Sequence, residues 1–213
     1  AFCEIDPHAR AVLNKRWPDV PVFTDVSTLS KGDLSEQIDV LAGGFPCQDI
    51  SDAGRGAGLS GSRSGLWFQY HRLIKEIQPR YAIIENVSAL RRRGLEQVLW
   101  SLAEIGYDAE WHCIPASAVG APQRRDRIWI VAYPSGARLQ RDERSGAAGT
   151  ERISERHITK RSWWQTEPSM GRVANGVSGQ AHRLRQLGNA VVPQIPELIG
   201  RAIMEYEHVN SLG

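Results

Sequence analysis

Short apolar runs alternate with amphipathic segments over residues 1–133, and this alternation constrains the fold more than any other feature. Runs of strand length fall at residues 1–5, 22–23, 38–42, 81–87 and 128–132. Between them, apolar residues recur at helical spacing, for example from Leu66 to Ile77 and from Leu95 to Ile105. Strands that alternate with helices form parallel sheets. The sequence therefore predicts an α/β fold with a doubly wound, mostly parallel sheet.

The predicted helix that begins near Leu66 has one continuous apolar face. That face is expected to be buried and comprises Leu66, Tyr70, Leu73, Ile74 and Ile77. A first helix is expected to begin at Asp6-Pro7, because proline is favoured in a first helical turn. A last one is expected over residues 193–208, with an inward face made of Ile195, Leu198, Ile199, Ala202, Ile203 and Tyr206.

Residues 38–51 combine an apolar run with a sharp turn and a cysteine. The run 38–42 is typical of a buried parallel strand, and Gly43-Gly44 then permits a tight turn before Pro46 and Cys47. A cysteine just beyond the carboxyl end of such a strand lies where open α/β sheets bind ligands. A lone cysteine is more commonly a buried hydrophobic residue. The flanking glycine and proline favour a loop, and hence a nucleophile.

Composition excludes several classes of protein. The three cysteines, Cys3, Cys47 and Cys113, are scattered, which indicates a reducing compartment without disulfides. The chain has no pattern typical of a zinc site, no apolar run of membrane-spanning length and no signal peptide. We therefore expect a cytoplasmic protein that binds neither metal nor membrane.

Positive charge is concentrated in one segment. The net charge is +2, but residues 134–185 hold 10 Lys or Arg against 5 Asp or Glu. This segment lacks periodicity, and Trp163-Trp164 is its main apolar content. A basic segment on a neutral body favours a polyanionic partner, although a solvated charged loop explains the excess equally well.

Two acids lie at the ends of the first two predicted strands, Glu4 at the end of one and Asp25 at the end of the other. Acids at such strand ends accept hydrogen bonds from a nucleoside. Each alone is better explained as a capping carboxylate, but together they favour a nucleoside-bearing cofactor. Residues 56–61 spell GxGxxG, yet a loop precedes them, so we interpret them as a mobile loop and not as a dinucleotide fingerprint.

Further polar residues lie beside the strands 81–87 and 128–132. Glu85 follows an apolar run, so partial desolvation is expected to raise its pKa and favour a proton-donating acid; a capping role is the alternative. Arg125 and Arg127 are two residues apart, so on an extended segment they face one pocket; a basic surface run is the alternative. The run Arg91-Arg92-Arg93 indicates a solvated or phosphate-contacting turn.

These segments together resemble the DNA (cytosine-5) methyltransferases. The resemblance rests on Gly44-Phe45-Pro46-Cys47-Gln48, Glu85-Asn86-Val87, the QxRxR pattern of Gln123, Arg125 and Arg127, and QLGNAVVP at residues 186–193. It implies transfer of a methyl group from S-adenosylmethionine to cytosine C5 in double-stranded DNA, through a covalent adduct between Cys47 and a flipped base. Glu85 would then hydrogen-bond cytosine N3, while Arg125 and Arg127 orient Glu85 and contact the cytosine carbonyl oxygen.

The resemblance also implies binding residues and a division of the chain. The expected substrate contacts are Gln48, Asn86 and Gln123. The expected cofactor contacts are Glu4, Ile5, Asp25, Val26, Gly44, Pro46, Leu66, Asn189 and Val191. Residues 1–133 would form the catalytic domain, 134–185 a short target-recognition region, and 186–213 a return segment whose helix packs on the catalytic domain. A monomer is expected.

The chain departs from the family pattern at its start, where the family's glycine-rich phenylalanine loop is not found. We therefore expect a fragment that lacks its first strand and binds S-adenosylmethionine weakly. The short recognition region resembles phage-encoded or prophage-encoded members. An inactive DNA-binding fragment and an RNA cytosine-5 methyltransferase remain alternatives.

Other cysteine enzymes are the alternatives outside this family. A phosphatase would need arginine at position 53, which is Ala53. A cysteine hydrolase would need a histidine, and His71 or His112 could serve.

Overall fold

The computed structural model describes residues 1–46, 65–136 and 189–211. The chain forms two compact units. The first takes its described residues from 1–113 and 126–136, and the second takes them from 114–125 and 189–211. Cys47, Gln48, the GxGxxG segment and the basic stretch 138–185 lie outside the described residues. The predictions for them, and the predicted division at 133 and 185, stay predictions.

The first unit begins with β1 (Phe2–Cys3), α1 (Pro7–Arg16) and β2 (Val22–Phe23), and β1 pairs with β2 in parallel. α1 begins where the sequence predicts, because the Asp6 carboxylate accepts the amide N–H groups of His8 (2.8 Å) and Ala9 (3.3 Å). No residue of α1 is buried, so its apolar side chains remain at least partly exposed to solvent.

Four longer strands form the main sheet of the first unit. They are β3 (Val40–Gly44), β4 (Tyr81–Val87), β5 (Tyr107–Pro115) and β6 (Asp126–Pro134), in the order β3-β4-β6-β5. The predicted α/β fold is confirmed, and β3 pairs with β4 in parallel. However, β6 runs antiparallel to β4. Residues 116–125 before β6 include only a 3-10 turn, Ala116–Val119, and no crossover helix of the kind that connects parallel strands.

The first unit also contains α2 (Gly65–Ile77), α3 (Leu90–Arg93) and α4 (Leu95–Glu104). Four residues of the predicted α2 face are buried, but Leu66 is 36% exposed and Trp67 is fully buried instead. Trp67 fits the interior because its Nε1 donates to Ser101 Oγ of α4 at 3.2 Å. α2, α4, β4 and β6 supply most of the core.

The prediction that the strand at 38–42 is buried is wrong. The strand begins two residues later, at Val40, and Val40 is 46% exposed. β3 pairs with β4 along one edge, and among the described strands none pairs with its other edge. β1 and β2 form a separate two-stranded sheet, so β3 is covered less than an interior strand would be.

In the described part of the second unit, the Ala116–Val119 turn packs with α5 (Gln194–Ser211). The helix predicted at 193–208 is confirmed, and Ile195 on its inward face is 2% exposed. Ala202 was expected on that face but is exposed. Among the described residues, no helix combines the length and hydropathy needed to cross a membrane.

Candidate active site

Glu85 lies near the carboxyl end of β4, directly opposite Gly44 of β3. A Cβ atom on residue 44 would lie 2.9 Å from the Glu85 carbonyl oxygen and 3.2 Å from Glu85 Oε2. The first distance is too short for any side chain, and it involves backbone that is fixed in the sheet. Glycine at position 44 therefore lets the strand that leads toward Cys47 approach the Glu85 carboxyl group.

Arg127 of β6 holds the same carboxyl group from the other side. Its Nε lies 3.0 Å from Glu85 Oε1, and the two side chains are 21% and 20% exposed. The antiparallel register pairs Glu85 with Trp129 and Val87 with Arg127, so the ion pair is a diagonal contact on one face of the sheet. In this partly desolvated position, Arg127 fixes the direction of the carboxyl group.

Asn86 fixes the segment that precedes the predicted nucleophile. It is 2% exposed, its Nδ2 donates to the Phe45 carbonyl at 3.3 Å, and its Oδ1 accepts the Val87 N–H at 2.8 Å. The Phe45 ring is buried and packs against Trp67, with 5.4 Å between the ring centroids. The backbone is therefore held at Phe45, two residues before Cys47, while Pro46 is exposed.

Tyr70 of α2 joins the two strands that carry these residues. Its hydroxyl lies 2.8 Å from the Leu41 carbonyl and 3.0 Å from the Ile83 carbonyl, one on β3 and one on β4. Burial raises the pKa of Tyr70, so the hydroxyl stays protonated and donates. Sequence reasoning placed Tyr70 in the core but did not predict this bridge.

The two predicted cofactor acids lie at the ends of the paired strands β1 and β2. Asp25 Oδ1 accepts the side chain of Ser27 at 2.7 Å and its N–H at 2.8 Å, and these bonds lower the pKa of Asp25. Glu4 Oε1 accepts the Asp6 N–H at 2.8 Å. Burial raises the pKa of Cys3, as do the negative charges of Asp25 and Glu4. Each acid also has the local capping role weighed as the alternative.

Arg72 of α2 is a structural residue that sequence reasoning missed. Its Nη2 donates to the carbonyls of Val26 (3.0 Å) and Leu29 (2.8 Å), and its Nη1 pairs with Glu76 at 2.8 Å. The segment after Asp25 is therefore fastened to α2. The sequence shows only the helical spacing between Arg72 and Glu76, and that spacing does not predict the contacts of Arg72 with Val26 and Leu29.

In the second unit, Arg125 contacts the segment that the sequence assigned to cofactor binding. Its Nη2 donates to the carbonyl of Ala190, between Asn189 and Val191. The assumption of an extended segment through Arg125 is wrong, because Arg125 has φ = 35° and β6 begins only at Asp126. Strand alternation therefore gives no reason for Arg125 and Arg127 to share a face.

The remaining predicted contacts are solvent-facing. Gln123 is exposed, Val191 is 45% exposed, and Ile5 is 74% exposed. Leu66 lies at the first turn of α2, also exposed. Among the described residues, no cluster of His, Cys, Asp or Glu is arranged to hold a metal ion.

Solved structures identify the class of this fold. The chain is similar to an Escherichia coli prophage protein described as a DNA modification methyltransferase, with 28% identity, a TM-score of 0.51, and coverage of 62% of this chain and 39% of the other. Entamoeba histolytica methyltransferase EhMeth shares the fold at 16% identity, with a TM-score of 0.54 over 62% of this chain and 43% of that one. The fold is that of S-adenosylmethionine-dependent methyltransferases.

Sequence comparison identifies the family. The profile described as C-5 cytosine-specific DNA methylase matches residues 1–175, and the chain belongs to this family. It is 37% identical to Type II methyltransferase M2.BsuMI of Bacillus subtilis (strain 168), over 62% of this chain and 35% of the relative. It is 32% identical to Type II methyltransferase M.CviJI of Paramecium bursaria Chlorella virus IL3A, over 91% of this chain and 50% of the relative. The chain thus spans half or less of the length of these two relatives.

Proposed function

We propose that this chain carries the catalytic part of an enzyme that methylates cytosine C5 in DNA. The observation that carries the proposal is the arrangement at the end of β4. The Glu85 carboxyl group is paired with Arg127 and closely approached by Gly44, and Asn86 anchors the backbone two residues before Cys47. A carboxyl group, a guanidinium and a cysteine are the groups that covalent activation of a cytosine ring needs.

In the proposed reaction the Cys47 thiolate adds to cytosine C6. The C5–C6 π electrons are then delocalised over C5, C4 and N3. The protonated Glu85 carboxyl group donates a hydrogen bond to N3 and stabilises the negative charge that develops there, while Arg127 keeps the carboxyl group oriented. C5 then acts as a carbon nucleophile and takes a methyl group. A solvent water accepts the C5 proton, and its bonding electrons re-form the C5–C6 double bond as the Cys47 sulfur leaves C6 as a thiolate.

S-adenosylmethionine would supply the methyl group as an electrophile on a sulfonium centre. The residues present fit its adenosine part, because Asp25 is held ionised by Ser27 and lies with Glu4 around the end of β1 and β2. Carboxylates accept the hydroxyl and amino hydrogens of a nucleoside. Arg72 fixes the Val26 backbone beside Asp25 through its carbonyl.

The cysteine hydrolase alternative finds no support at His71. Its Nε2 lies 2.8 Å from the Ser101 carbonyl, and a carbonyl only accepts, so this nitrogen carries the ring proton. His71 is thus oriented by the Ser101 carbonyl of α4.

Trapping on a suicide substrate tests the proposal. Duplex DNA with 5-fluorocytosine at candidate target sites, incubated with S-adenosylmethionine, is expected to give an adduct of protein and DNA whose mass and fragments map to Cys47. Fluorine cannot leave as a proton does, so the adduct persists. Cys47→Ala should abolish it, and Cys3→Ala, which removes an exposed thiol, should leave it intact. An adduct that survives Cys47→Ala would refute the assignment, and trapping on RNA but not on DNA would favour the RNA alternative.

A further inference from the structure

A surface groove runs over α3 and the first half of α4, from Arg91 to Trp100, and has a volume of about 520 Å³. α3 begins three residues after β4 ends. The groove therefore comes directly after the strand that carries Glu85 in the chain. The proposed chemistry uses no residue of this groove.

The groove is built on a rigid base. Leu90 and Val98 are fully buried and Leu95 is 5% exposed, so α3 and the start of α4 are anchored in the core of the first unit. Arg91 and Arg92, which follow Leu90, are exposed. Their positive charges therefore lie on a fixed surface.

The lining is cationic and partly aromatic. The lining contains three consecutive arginines, Arg91 to Arg93, and one carboxylate, Glu96. Within the ranges 1–46, 65–136 and 189–211, the side chains of Arg91 and Arg92 make no ion pair or hydrogen bond. Trp100 is 70% exposed, and its Nε1 donates to Glu104 at 3.1 Å, which holds the indole on the surface.

Such a groove fits an extended polyanion with exposed sugars better than a compact apolar ligand, because small-molecule sites are enclosed and mainly apolar. Glu85 and Arg91 are six residues apart, so their Cα atoms are at most about 21 Å apart. DNA rises about 3.4 Å per base pair, so this distance corresponds to about six base pairs. A duplex with its target base at Glu85 therefore needs only about six base pairs to span the distance to the groove.

We propose that Arg91 and Arg92 bind phosphates of the DNA backbone within about six base pairs of the target cytosine, and that Trp100 packs against an adjacent sugar. The proposal rests on the proposed function, since it takes the target base to be at Glu85. It adds a DNA contact on the catalytic unit itself, separate from the basic stretch 138–185.

The salt dependence of DNA affinity tests the phosphate contacts. Each phosphate contact contributes about −0.9 to the slope of log affinity against log salt, so Arg91→Ala/Arg92→Ala is expected to make the slope shallower by about 1.8. The matched control is Lys15→Ala/Arg16→Ala, which removes the same charge from two adjacent exposed residues at the end of α1. Equal slopes for the two double variants would overturn the groove proposal alone. A parent protein without DNA binding would instead overturn the proposed function.

Neutral phosphate substitutions locate the contact. Methylphosphonates placed one at a time within about eight base pairs of the target should weaken parent binding about tenfold at one or two positions. At those positions the methylphosphonate should not lower the DNA affinity of the Arg91→Ala/Arg92→Ala variant any further. Trp100→Ala should lower affinity without changing the salt slope. The proposal fails if a methylphosphonate at every position weakens the DNA affinity of the parent and of the variant equally. At saturating DNA, the double variant should form the Cys47 adduct at the parent rate.

Discussion

At the scale of single residues, Gly44 has the most restrictive surroundings in the candidate site. Any side chain there meets the backbone of Glu85 at 2.9 Å, and a paired strand cannot move away without breaking its ladder. The glycine is needed for space, not for an unusual φ angle.

We therefore predict that Gly44→Ala lowers the free energy of unfolding by about 1–3 kcal/mol through overpacking. It should also slow formation of the Cys47 adduct, because β3 and the Glu85 carboxyl group must separate. The control is Gly65→Ala at the start of α2, where an added Cβ meets nothing within 4 Å. Thermal unfolding and trapping rates measure both effects. Equal behaviour of the two variants would show that the contact is not restrictive.

Asp25 allows a prediction about pH. Its pKa is lowered from an ordinary value of 3.8 by hydrogen bonds from Ser27. A lowered folded-state pKa stabilises the fold fully above about pH 3.8, and the stabilisation is lost as the pH falls through the folded-state value. The difference in melting temperature between the parent and Asp25→Asn should therefore shrink between about pH 6 and pH 2. A difference that stays constant over this range would contradict the prediction.

At the scale of elements, one hydroxyl of α2 joins the two paired strands β3 and β4. Tyr70 bridges the Leu41 and Ile83 carbonyls, and its ring lies 3.7 Å from where a Cβ on Gly43 would be. The bridge fixes the separation of β3 and β4 just before the site residues.

Tyr70→Phe keeps the ring and removes the bridge. We expect a loss of about 0.5–1.5 kcal/mol in the free energy of unfolding, the usual net contribution of a hydrogen bond. Chemical denaturation with an unchanged m-value would measure it. If the midpoint does not move, the two carbonyls are satisfied by the strand ladder alone.

Local sequence pattern predicted the elements well because their causes are local. The Asp6 cap, the spacing of Tyr70, Leu73 and Ile74, and the apolar run of β4 all follow from neighbouring residues. Patterns did not predict β5, whose residues include His112 and Glu110, because its strand character depends on pairing in the sheet. The antiparallel direction of β6 and the φ angle of Arg125 likewise arise from connections and contacts far along the chain.

The candidate site was predicted in its residue types but not in its geometry. Glu85 and Arg127 do meet, yet the reason offered for Arg125 was wrong. The contacts of Asn86 with Phe45 and of Arg72 with Val26 join residues more than forty positions apart. Such contacts require the folded chain, because no spacing rule relates their partners.

At the scale of the whole molecule, the two sheets of the first unit share one feature, an edge strand that is paired on one side only within the described residues. Among the described strands, none pairs with the second edge of β1 or of β3. Ile5 and Val40, near these edges, are 74% and 46% exposed. A strand added at these edges would satisfy backbone groups and cover apolar side chains.

We therefore predict that the 213-residue chain binds S-adenosylmethionine weakly. A version that carries, ahead of Ala1, the first strand and glycine-rich loop of a relative should bind at least about tenfold tighter, or about 1.4 kcal/mol. Titration calorimetry compares the two. The control extension replaces the loop glycines with alanine, which keeps the length but not the backbone freedom. Equal affinities for all three would refute the prediction.

The distribution of burial determines which backbone segments unfold locally and which unfold only with the whole unit. No residue before Leu29 is buried, whereas β4 and β6 are buried along most of their length. Amide hydrogens of β1, α1 and β2 should therefore exchange with solvent through frequent local openings, and those of β4 only through rare, nearly global ones. Glu4 and Asp25 belong to the part that opens first, and Glu85 to the part that opens last. A nucleoside bound at the two acids would slow exchange both in the first 28 residues and at β4, because local and global openings alike release it.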